Sequence, residues 1–225
     1  MLLHIPQVLS KAEVATLRAE LAAHEWVDGA QTSGAQAASL KHNWQFPPDS
    51  PAFSGLSQRV AEALSRHPLF VSAALPRHML PPMFNCYQGG GQYGNHVDNA
   101  LQRDRFSGLQ VRTDVSTTVF LSEPDEYQGG ELIVEDTYGE HEVKLAAGDA
   151  ILYPATSLHR VEPVTAGARM AAFLWSQSWV RDAWQRKLLF ELDMNILKLR
   201  GQLGDSEEVL GLTSTYHNLL RQWGE

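Results

Sequence analysis

The feature that most constrains the fold of this chain is a succession of short β-type segments in its middle. Clusters of glycine, proline, asparagine and aspartate separate these segments, a pattern typical of antiparallel sandwiches and barrels. The turn sequences Gln128-Gly129-Gly130 and Ala147-Gly148-Asp149 support the boundaries. We predict strands at Pro82–Tyr87, Asn95–Asp98, Val115–Leu121, Gly130–Glu135, His141–Lys144, Ala150–Tyr153, Ser157–Val161 and Arg169–Ser176. Strands of this number and length indicate a jelly roll, whose two facing sheets can enclose a ligand site.

Helical patterns precede this β region. Ser10 and Glu13 match the S-x-x-E capping box, and the apolar spacing after them predicts a helix from about Lys11 to His24. A second apolar face predicts a helix from about Ser54 to His67, which Pro68 should end. The fold class that follows is mainly β with flanking helices, an α+β arrangement.

A helical pattern also follows the β region. Its apolar stripe is Trp184, Leu188, Leu192, Ile196 and Leu199. Gly201 is the predicted stop, and a shorter helix should follow near Thr213 to Trp223. This C-terminal segment is too short to form a stable domain alone. We therefore expect it to pack on the barrel or to form a homo-oligomer through its helices. We divide the chain into an N-terminal support (1–77), a jelly-roll core (78–178) and a C-terminal helical subdomain (182–225).

The pair His96-x-Asp98 is the strongest candidate for a metal site. Residues two apart on a strand project to the same face, so both side chains should enter one pocket. His159, which follows Asp98 after 60 intervening residues, is the best candidate for a third ligand. Two histidines and one carboxylate form the facial triad of non-haem Fe(II) oxygenases. The alternatives are a polar pair on a surface strand and, for His159, a buried structural histidine.

The motif residues together resemble those of a known family. The string Tyr93-Gly94-Asn95-His96-Val97-Asp98-Asn99-Ala100 is followed by Gly129-Gly130-Glu131-Leu132, Leu158-His159-Arg160-Val161 and Arg169. This pattern resembles the Fe(II)/2-oxoglutarate-dependent dioxygenases and, more narrowly, the bacterial PKHD-type hydroxylases, which are similar to prolyl and lysyl hydroxylases. The resemblance covers nearly the whole chain. It implies a double-stranded β-helix core, Fe(II), the co-substrates 2-oxoglutarate and O₂, often ascorbate as a supporting reductant, and in several members a link to iron uptake.

The resemblance also assigns co-substrate residues. A cofactor with two carboxylates needs a cation at its far end, and the planar fork of Arg169 suits this role. On its strand Arg169 shares a face with Phe173 and Trp175, which predicts an inward side chain. The alternative is an ion pair with a surface carboxylate such as Glu162. Tyr87 matches a family tyrosine that helps to hold the oxo acid, with a buried, satisfied tyrosine as the alternative.

Two segments are candidate borders of the pocket. Asp28 to Ser39 is rich in Gly, Ala, Ser and Gln, which predicts a surface loop or hairpin arm, and the sequence does not decide whether it acts as a lid. Lys41 and Asn43 are interpreted as part of a solvated loop, with a place at the substrate entrance as the alternative.

Composition indicates the size of the core, the partners to exclude and the cellular location of this protein. Its 225 residues, 44% of them hydrophobic, are enough to bury one main core. A formal net charge of -8 argues against nonspecific binding to nucleic acid or to an anionic membrane. Cys86 is the single cysteine, so no disulfide can form within the chain, and no segment resembles a signal peptide or a membrane span. We therefore expect a cytoplasmic protein.

Two classes of function remain open at this point. The first is a dioxygenase that decarboxylates 2-oxoglutarate to succinate and CO₂ and hydroxylates a small molecule or a protein side chain. The second is a non-catalytic module, either a metal-binding cupin-like domain or an iron sensor. Cupins usually gather more histidines in their first motif and need no arginine at position 169, so the enzyme is favoured. The sequence does not identify the hydroxylated substrate.

Overall fold

The helices of the protein lie before and after its main β region. The computed structural model describes residues 1–29 and 40–225. Within these residues the α-helices are α1 (Lys11–Ala22), α2 (Phe53–Arg66), α3 (Pro68–Ala74), α4 (Ala183–Leu203) and α5 (Glu207–Trp223). None of the helices in this described part is both long enough and apolar enough to cross a membrane.

The strands form two main antiparallel sheets. They are β1 (Leu3–Ile5), β2 (Val27–Asp28), β3 (Lys41–His42), β4 (Trp44–Gln45), β5 (Pro76–Met79), β6 (Met83–Gln88), β7 (Gln92–His96), β8 (Leu101–Arg103), β9 (Gln110–Arg112), β10 (Val115–Phe120), β11 (Tyr127–Gly129), β12 (Leu132–Asp136), β13 (Gly139–Val143), β14 (Ala150–Pro154), β15 (His159–Val161) and β16 (Val164–Ser178). The larger sheet has the order β1-β14-β10-β16-β6-β4-β2, and β5 and β11 also pair with β16. The smaller sheet has the order β13-β12-β15-β7-β3, while β8 and β9 form a separate hairpin.

The two main sheets pack face to face. Tyr87 and Phe120 of the larger sheet share one buried cluster with Leu132 and Val161 of the smaller sheet. This arrangement confirms the predicted jelly roll with helices on its flanks. The chain starts in the larger sheet, because β1 pairs with β14 and places Leu3 opposite Leu152.

The main apolar core lies between the larger sheet and the N-terminal helices. Leu17 of α1, Leu56 of α2 and Phe70 of α3 are at most 1% exposed and pack with Val119 and Ala172 of the sheet. Side chains alternate across a strand, so one face of β10 and β16 supports this core while the other face is left for a site.

The C-terminal helices pack on the barrel. Leu189 of α4 forms a buried cluster with Leu75 and Val180, which belong to the body of the protein. The guanidinium of Arg186 is buried and donates to the carbonyl oxygens of Val180 and Arg181, at 2.8 and 2.7 Å. These contacts hold the start of α4 against the end of β16.

The predicted helices are confirmed with corrected ends. Ser10 caps α1 in a complete capping box with Glu13. Pro68 ends the second helix as predicted, but it also begins α3, which the sequence analysis missed. The predicted stop at Gly201 is wrong, because α4 continues to Leu203 and ends at Gly204, whose φ is 64°. The last helix begins at Glu207, well before Thr213, because Ser206 caps it.

The predicted strand at Asn95–Asp98 needs a correction that matters for the site. Strand β7 ends at His96, so Asp98 lies beyond it. The register between β7 and β15 also shifts, with His159 opposite His96 but Val161 opposite Tyr93. This bulge breaks the simple period of two on which the prediction relied. Of the predicted loop at Asp28–Ser39, residues 30–39 lie outside the described residues.

Candidate metal centre and co-substrate pocket

Two histidines and one aspartate meet at the end of β7. His96 is the last residue of β7 and His159 the first of β15, and the strand register places them opposite each other. Asp98 follows two residues after His96. One ligand atom from each of the three residues lies within 4.8 Å of the others. Strand pairing therefore brings the predicted third ligand to the predicted pair.

Hydrogen bonds orient both imidazole rings. The Nδ1 atom of His96 lies 2.8 Å from the carbonyl oxygen of Gly94, and that of His159 lies 3.0 Å from the carbonyl oxygen of Ser157. A carbonyl oxygen only accepts, so each Nδ1 must carry the proton and donate it. Each Nε2 is then unprotonated and can bind a metal.

The electrostatics of the three residues fit a divalent cation. Burial lowers the pKa of His96 to about 4, and His159 acts in the same direction, so the ring is neutral near pH 7. Burial raises the pKa of Asp98 against the opposing effects of His159, Trp175 and Ser116. The Asp98 side chain is 5% exposed, and its Oδ2 atom has no hydrogen-bond partner among the described residues. A divalent cation would relieve this unpaired carboxylate oxygen, and the donor set suits Fe(II).

Arg169 lies inside the jelly roll on β16 and is 1% exposed. Its guanidinium carbon lies 5.5 Å from the ring centre of Tyr87 and 5.1 Å from that of Phe120. Its Nε atom has no hydrogen-bond partner in the described part of the chain. Glu162, the alternative partner, instead accepts a hydrogen bond of 2.6 Å from Arg160. The side chain thus faces the interior, as its strand position predicted.

Tyr87 lies directly opposite Arg169 in the pairing of β6 with β16 and is 1% exposed. Burial raises the pKa of its hydroxyl, against the opposing effects of Arg169 and Asn43. Gly130 leaves room for this arrangement, because a Cβ atom there would lie 3.1 Å from the Arg169 Cδ atom and 2.7 Å from the Val164 Cγ2 atom.

One cavity connects these groups. It has a volume of about 180 Å³, and all five predicted site residues line it. The remaining lining residues include the polar Asn85, Ser116, Thr118 and Tyr153 and the apolar Met83, Leu132, Phe173 and Trp175. A candidate metal site and a buried arginine therefore face the same small, mixed polar and apolar space, which is the form of a small-molecule site.

Comparison with known proteins identifies the family. Residues 183–225 match the PKHD-type hydroxylase C-terminal domain, and residues 82–177 match the 2OG-Fe(II) oxygenase superfamily. A PKHD-type hydroxylase of Hyphomonas neptunium is 64% identical over 225 residues, which is 100% of both chains. A relative of the same name in Herminiimonas arsenicoxydans is 59% identical over 222 residues, or 99% of each chain. This chain belongs to the PKHD-type hydroxylase family.

The family membership confirms the predicted class of enzyme. The chain is an Fe(II)/2-oxoglutarate-dependent dioxygenase, and Fe(II), 2-oxoglutarate and O₂ are the cofactor and co-substrates that its superfamily implies. His96, Asp98 and His159 form a cluster that could hold a metal ion. The non-catalytic alternative is therefore not retained.

Solved structures of other oxygenases share the fold. A prolyl-4-hydroxylase of Pseudomonas putida matches with a TM-score of 0.52 and 21% identity, over 79% of this chain and 92% of its own. A Trichoplax adhaerens prolyl hydroxylase, solved with a hypoxia inducible factor peptide, matches with a TM-score of 0.55 and 19% identity, over 79% and 83%. At such identities the likeness supports the jelly-roll fold of the PKHD-type hydroxylase and nothing further.

Sequence reasoning missed Lys41 and Gln45 as part of the cavity wall of this PKHD-type hydroxylase. Lys41 and Asn43 are each 7% exposed and Gln45 is 1% exposed, so the interpretation of Lys41 and Asn43 as part of a solvated loop is wrong. Their alternation with exposed His42 and Trp44 is a period-two signal, but it spans too few residues to stand out. Tyr93 was also missed. Its ring stacks on that of His96 at 3.6 Å, and the bulge in β7 hides this contact from the sequence.

Proposed function

We propose that His96, Asp98 and His159 bind the Fe(II) of this PKHD-type hydroxylase and so form its catalytic centre. This proposal rests on one observation: a ligand atom from each of the three residues lies within 4.8 Å of the other two. The hydrogen bonds that the two Nδ1 atoms donate to backbone carbonyl oxygens support it, because they direct both Nε2 atoms away from the carbonyls and into the cavity. Three ligands on one face of the metal leave the opposite positions for the co-substrates.

Arg169 is the proposed binding partner of the distal carboxylate of 2-oxoglutarate. Its buried guanidinium has donors that can form two parallel hydrogen bonds with a carboxylate. The hydroxyl of Tyr87, on the facing strand, is the proposed second contact. Because a buried arginine without a carboxylate partner is costly, the co-substrate would supply the missing charge and stabilise this end of the pocket.

The proposed reaction is a hydroxylation. When bound, Fe(II) and 2-oxoglutarate would supply the oxidising chemistry: one oxygen atom of O₂ would enter a C–H bond of the substrate and the other would enter the succinate formed, with CO₂, from 2-oxoglutarate. The protein residues would position these groups: the triad would hold the metal end and Arg169 the far end, while Phe173 and Trp175 add apolar side chains to the cavity lining. Ascorbate is the proposed supporting reductant, and the proposed substrate is a small molecule or a protein side chain.

The proposed setting is the cytoplasm, with no nucleic-acid or membrane partner. The net charge of -8 and the single Cys86 support this setting.

Homo-oligomer formation through the C-terminal helices is a further proposal. It is supported by large apolar side chains on the outside of α4, since Trp184 and Leu197 are 63% and 49% exposed. The division at 1–77, 78–178 and 182–225 is likewise kept as a proposal.

Turnover without a substrate tests the proposed metal ligands. The purified protein, given Fe(II), ascorbate, O₂ and 2-oxoglutarate, should form succinate slowly. His96→Ala, Asp98→Ala and His159→Ala should each reduce succinate formation to the level measured without iron. Each variant should keep its circular dichroism spectrum, because the jelly-roll core does not depend on a structural metal.

His217→Ala is the matched control, because His217 is an exposed histidine on α5 and does not line the cavity. It should form succinate at the wild-type rate. Wild-type iron affinity and succinate formation in His159→Ala would contradict the assignment of the triad.

A further inference from the structure

Asp98 lies outside the strands, unlike the other two residues of the proposed triad. His96 ends β7 and His159 begins β15, so the pairing of these strands fixes both backbones. Asp98 follows two residues after the end of β7, and its side chain is nevertheless 5% exposed. The orientation of its carboxylate therefore depends on the side chains that surround it.

The two oxygen atoms of Asp98 have different surroundings. Oδ1 lies 3.8 Å from the His159 Nε2 atom, so it is the oxygen that faces the proposed metal position. Oδ2 is buried and has no hydrogen-bond partner within residues 1–29 and 40–225. A carboxylate that binds a metal through Oδ1 keeps Oδ2 as an acceptor for a neighbouring donor.

Three residues in register across the larger sheet border the triad. Ser116 of β10 is opposite Tyr153 of β14 on one side and opposite Trp175 of β16 on the other. All three line the cavity together with Asp98 and His159. The ring of Tyr153 contacts that of His159 edge-on, with their centres 5.1 Å apart. This row of the larger sheet thus runs alongside ligands that the smaller sheet provides.

Trp175 brings a buried donor to this row. Its indole Nε1 atom has no hydrogen-bond partner in the described part of the chain. An indole N–H only donates and an ionised carboxylate only accepts, so the unpaired atoms of Trp175 and Asp98 are complementary. Burial raises the pKa of the Asp98 carboxyl, while His159 opposes this effect. The side chains of Trp175 and Ser116 oppose it further, as nearby hydrogen-bond donors.

The position of Trp175 selects Asp98 as the acceptor. Among the described residues that line the cavity, the buried side-chain acceptors without a partner are the Asn85 Oδ1 and Asp98 Oδ2 atoms. Asn85 is opposite Ala171 of β16, four residues before Trp175. Four residues of a strand span roughly 13 Å, which is beyond the reach of the indole. Of these two acceptors, only the Asp98 carboxylate can therefore pair with the Trp175 N–H.

We propose that Trp175 is a positioning residue, which donates its indole N–H to the Asp98 Oδ2 atom and thereby directs Oδ1 to the metal. The inference rests on the proposed function, because it takes Asp98 as a ligand of Fe(II). Hydrogen bonds at such sites often reach their full geometry only when the ligand is bound, so metal binding would complete this one. The larger sheet would thus fix the ligand that lies beyond β7.

Metal affinity without turnover tests this proposal. Calorimetry of the full chain with Zn(II) in place of Fe(II) measures it. Trp175→Phe keeps an aromatic ring next to Phe173 but removes the N–H, and it should bind Zn(II) roughly 10–100-fold more weakly, as loss of a partner of a metal ligand commonly does. Trp175→Gln should recover part of the affinity, because its amide is again a donor. Trp184→Phe is the control, since Trp184 is 63% exposed on α4, and it should bind as wild type does.

The indole signal of Trp175 is a second readout, which does not require a Trp175 variant to fold. The chain has six tryptophans, so ¹⁵N labelling of the indoles gives six signals, and contacts with Phe173 assign the one from Trp175. With Zn(II) bound, this proton should move downfield, because it donates to a carboxylate. Asp98→Ala should abolish the shift.

Binding of 2-oxoglutarate separates positioning of the metal ligand from a general role in the pocket wall. At saturating Zn(II), Trp175→Phe should bind 2-oxoglutarate with near wild-type affinity, because the metal and Arg169 are both in place. Three results would overturn the proposal: wild-type Zn(II) affinity in Trp175→Phe, an indole signal that does not respond to Asp98→Ala, or equal Zn(II) losses in Trp175→Phe and Trp175→Gln with a matching loss of 2-oxoglutarate affinity.

Failure of the proposed function itself gives a different result. In that case Asp98→Ala would bind Zn(II) as tightly as the wild-type protein does. Weak Zn(II) binding in Asp98→Ala together with wild-type binding in Trp175→Phe would remove the inference on Trp175 and leave the assignment of the triad unchanged.

Discussion

The larger sheet borders two buried regions of opposite chemistry, the apolar core beneath the N-terminal helices and the pocket inside the jelly roll. Leu17, Leu56 and Phe70 in the apolar core are at most 1% exposed, and so is Arg169 in the pocket. The apolar side chains stabilise the fold by leaving water, at about 25 cal/mol per Å² of apolar surface. The pocket instead holds charged and polar atoms that have no hydrogen-bond partner among residues 1–29 and 40–225, such as the Asp98 Oδ2 and Arg169 Nε atoms, and these cost stability until a ligand pairs them.

Strands β10 and β16 separate these two regions. On β10, Val115 and Val119 belong to the apolar core, whereas Ser116 and Thr118 line the pocket. The same alternation on β16 places Ala172 in the apolar core. Because neighbouring residues of a strand face opposite sides, the chain can build stability and function at the same depth. Substitutions in the apolar core should therefore change mainly stability, and substitutions in the pocket should change mainly ligand binding.

The largest expected effect on stability lies in the apolar core. Phe70→Ala should lower the free energy of unfolding by about 3–5 kcal/mol, because it leaves a cavity in a fully buried cluster. The affinity of the folded protein for 2-oxoglutarate should not change. Denaturant unfolding and calorimetry measure the two quantities. Val71→Ala, at a neighbouring residue that is 40% exposed, is the control and should change stability little.

A smaller effect should appear on the pocket side as pH falls. The pKa of His96 is lowered from 6.5 to about 4 in the folded protein, so the unfolded chain binds more protons between these values. Neutral His96 is therefore fully compatible with the folded, metal-free protein above pH 6.5. As the pH falls from 6.5 to 4, the free energy of unfolding should decrease by about 3 kcal/mol because of this residue. The measurement is the unfolding free energy of wild type minus that of His96→Gln across this range. A difference in unfolding free energy that does not change with pH would contradict this prediction.

The smallest effect is a gain in stability. Asp98→Asn should raise the unfolding free energy of the metal-free protein by about 1–2 kcal/mol at pH 7, because it removes a buried charge whose pKa burial raises. The same change should weaken metal binding. Asp49→Asn, at a fully exposed aspartate, is the control and should leave both properties unchanged. A less stable metal-free Asp98→Asn protein would show that the carboxylate contributes to the fold.

The sequence predicted the parts of the site that follow strand periodicity. Arg169 faces the pocket together with Phe173 and Trp175, as the period of two required. His96 and His159 were predicted as ligands from their chemistry, and the structure places them opposite each other. That β7 ends before Asp98 could not be predicted, because the end and the register of this strand depend on pairing with β15, which is distant in sequence.

Other features depend on tertiary context. Strands β3 and β4 have two residues each, which is too short for any periodic signal, so the burial of Lys41 was missed. Helix α3 was missed because Pro68 ends one helix and begins another, and a proline pattern alone indicates only the end. Gly201 was read as a stop, but a helix tolerates a glycine when packing outweighs its cost of about 1 kcal/mol.

Anaerobic binding of 2-oxoglutarate to the Fe(II) protein tests the central claim most directly, namely that the triad and Arg169 form the two ends of one co-substrate site. The wild-type complex should show a metal-to-ligand absorption band that titrates with 2-oxoglutarate. Arg169→Ala should retain Fe(II) but need roughly two to four decades more 2-oxoglutarate, since an unpaired buried charge commonly costs about 3–5 kcal/mol. Arg169→Lys should recover part of the affinity. Equal titration of wild type and Arg169→Ala would contradict the account.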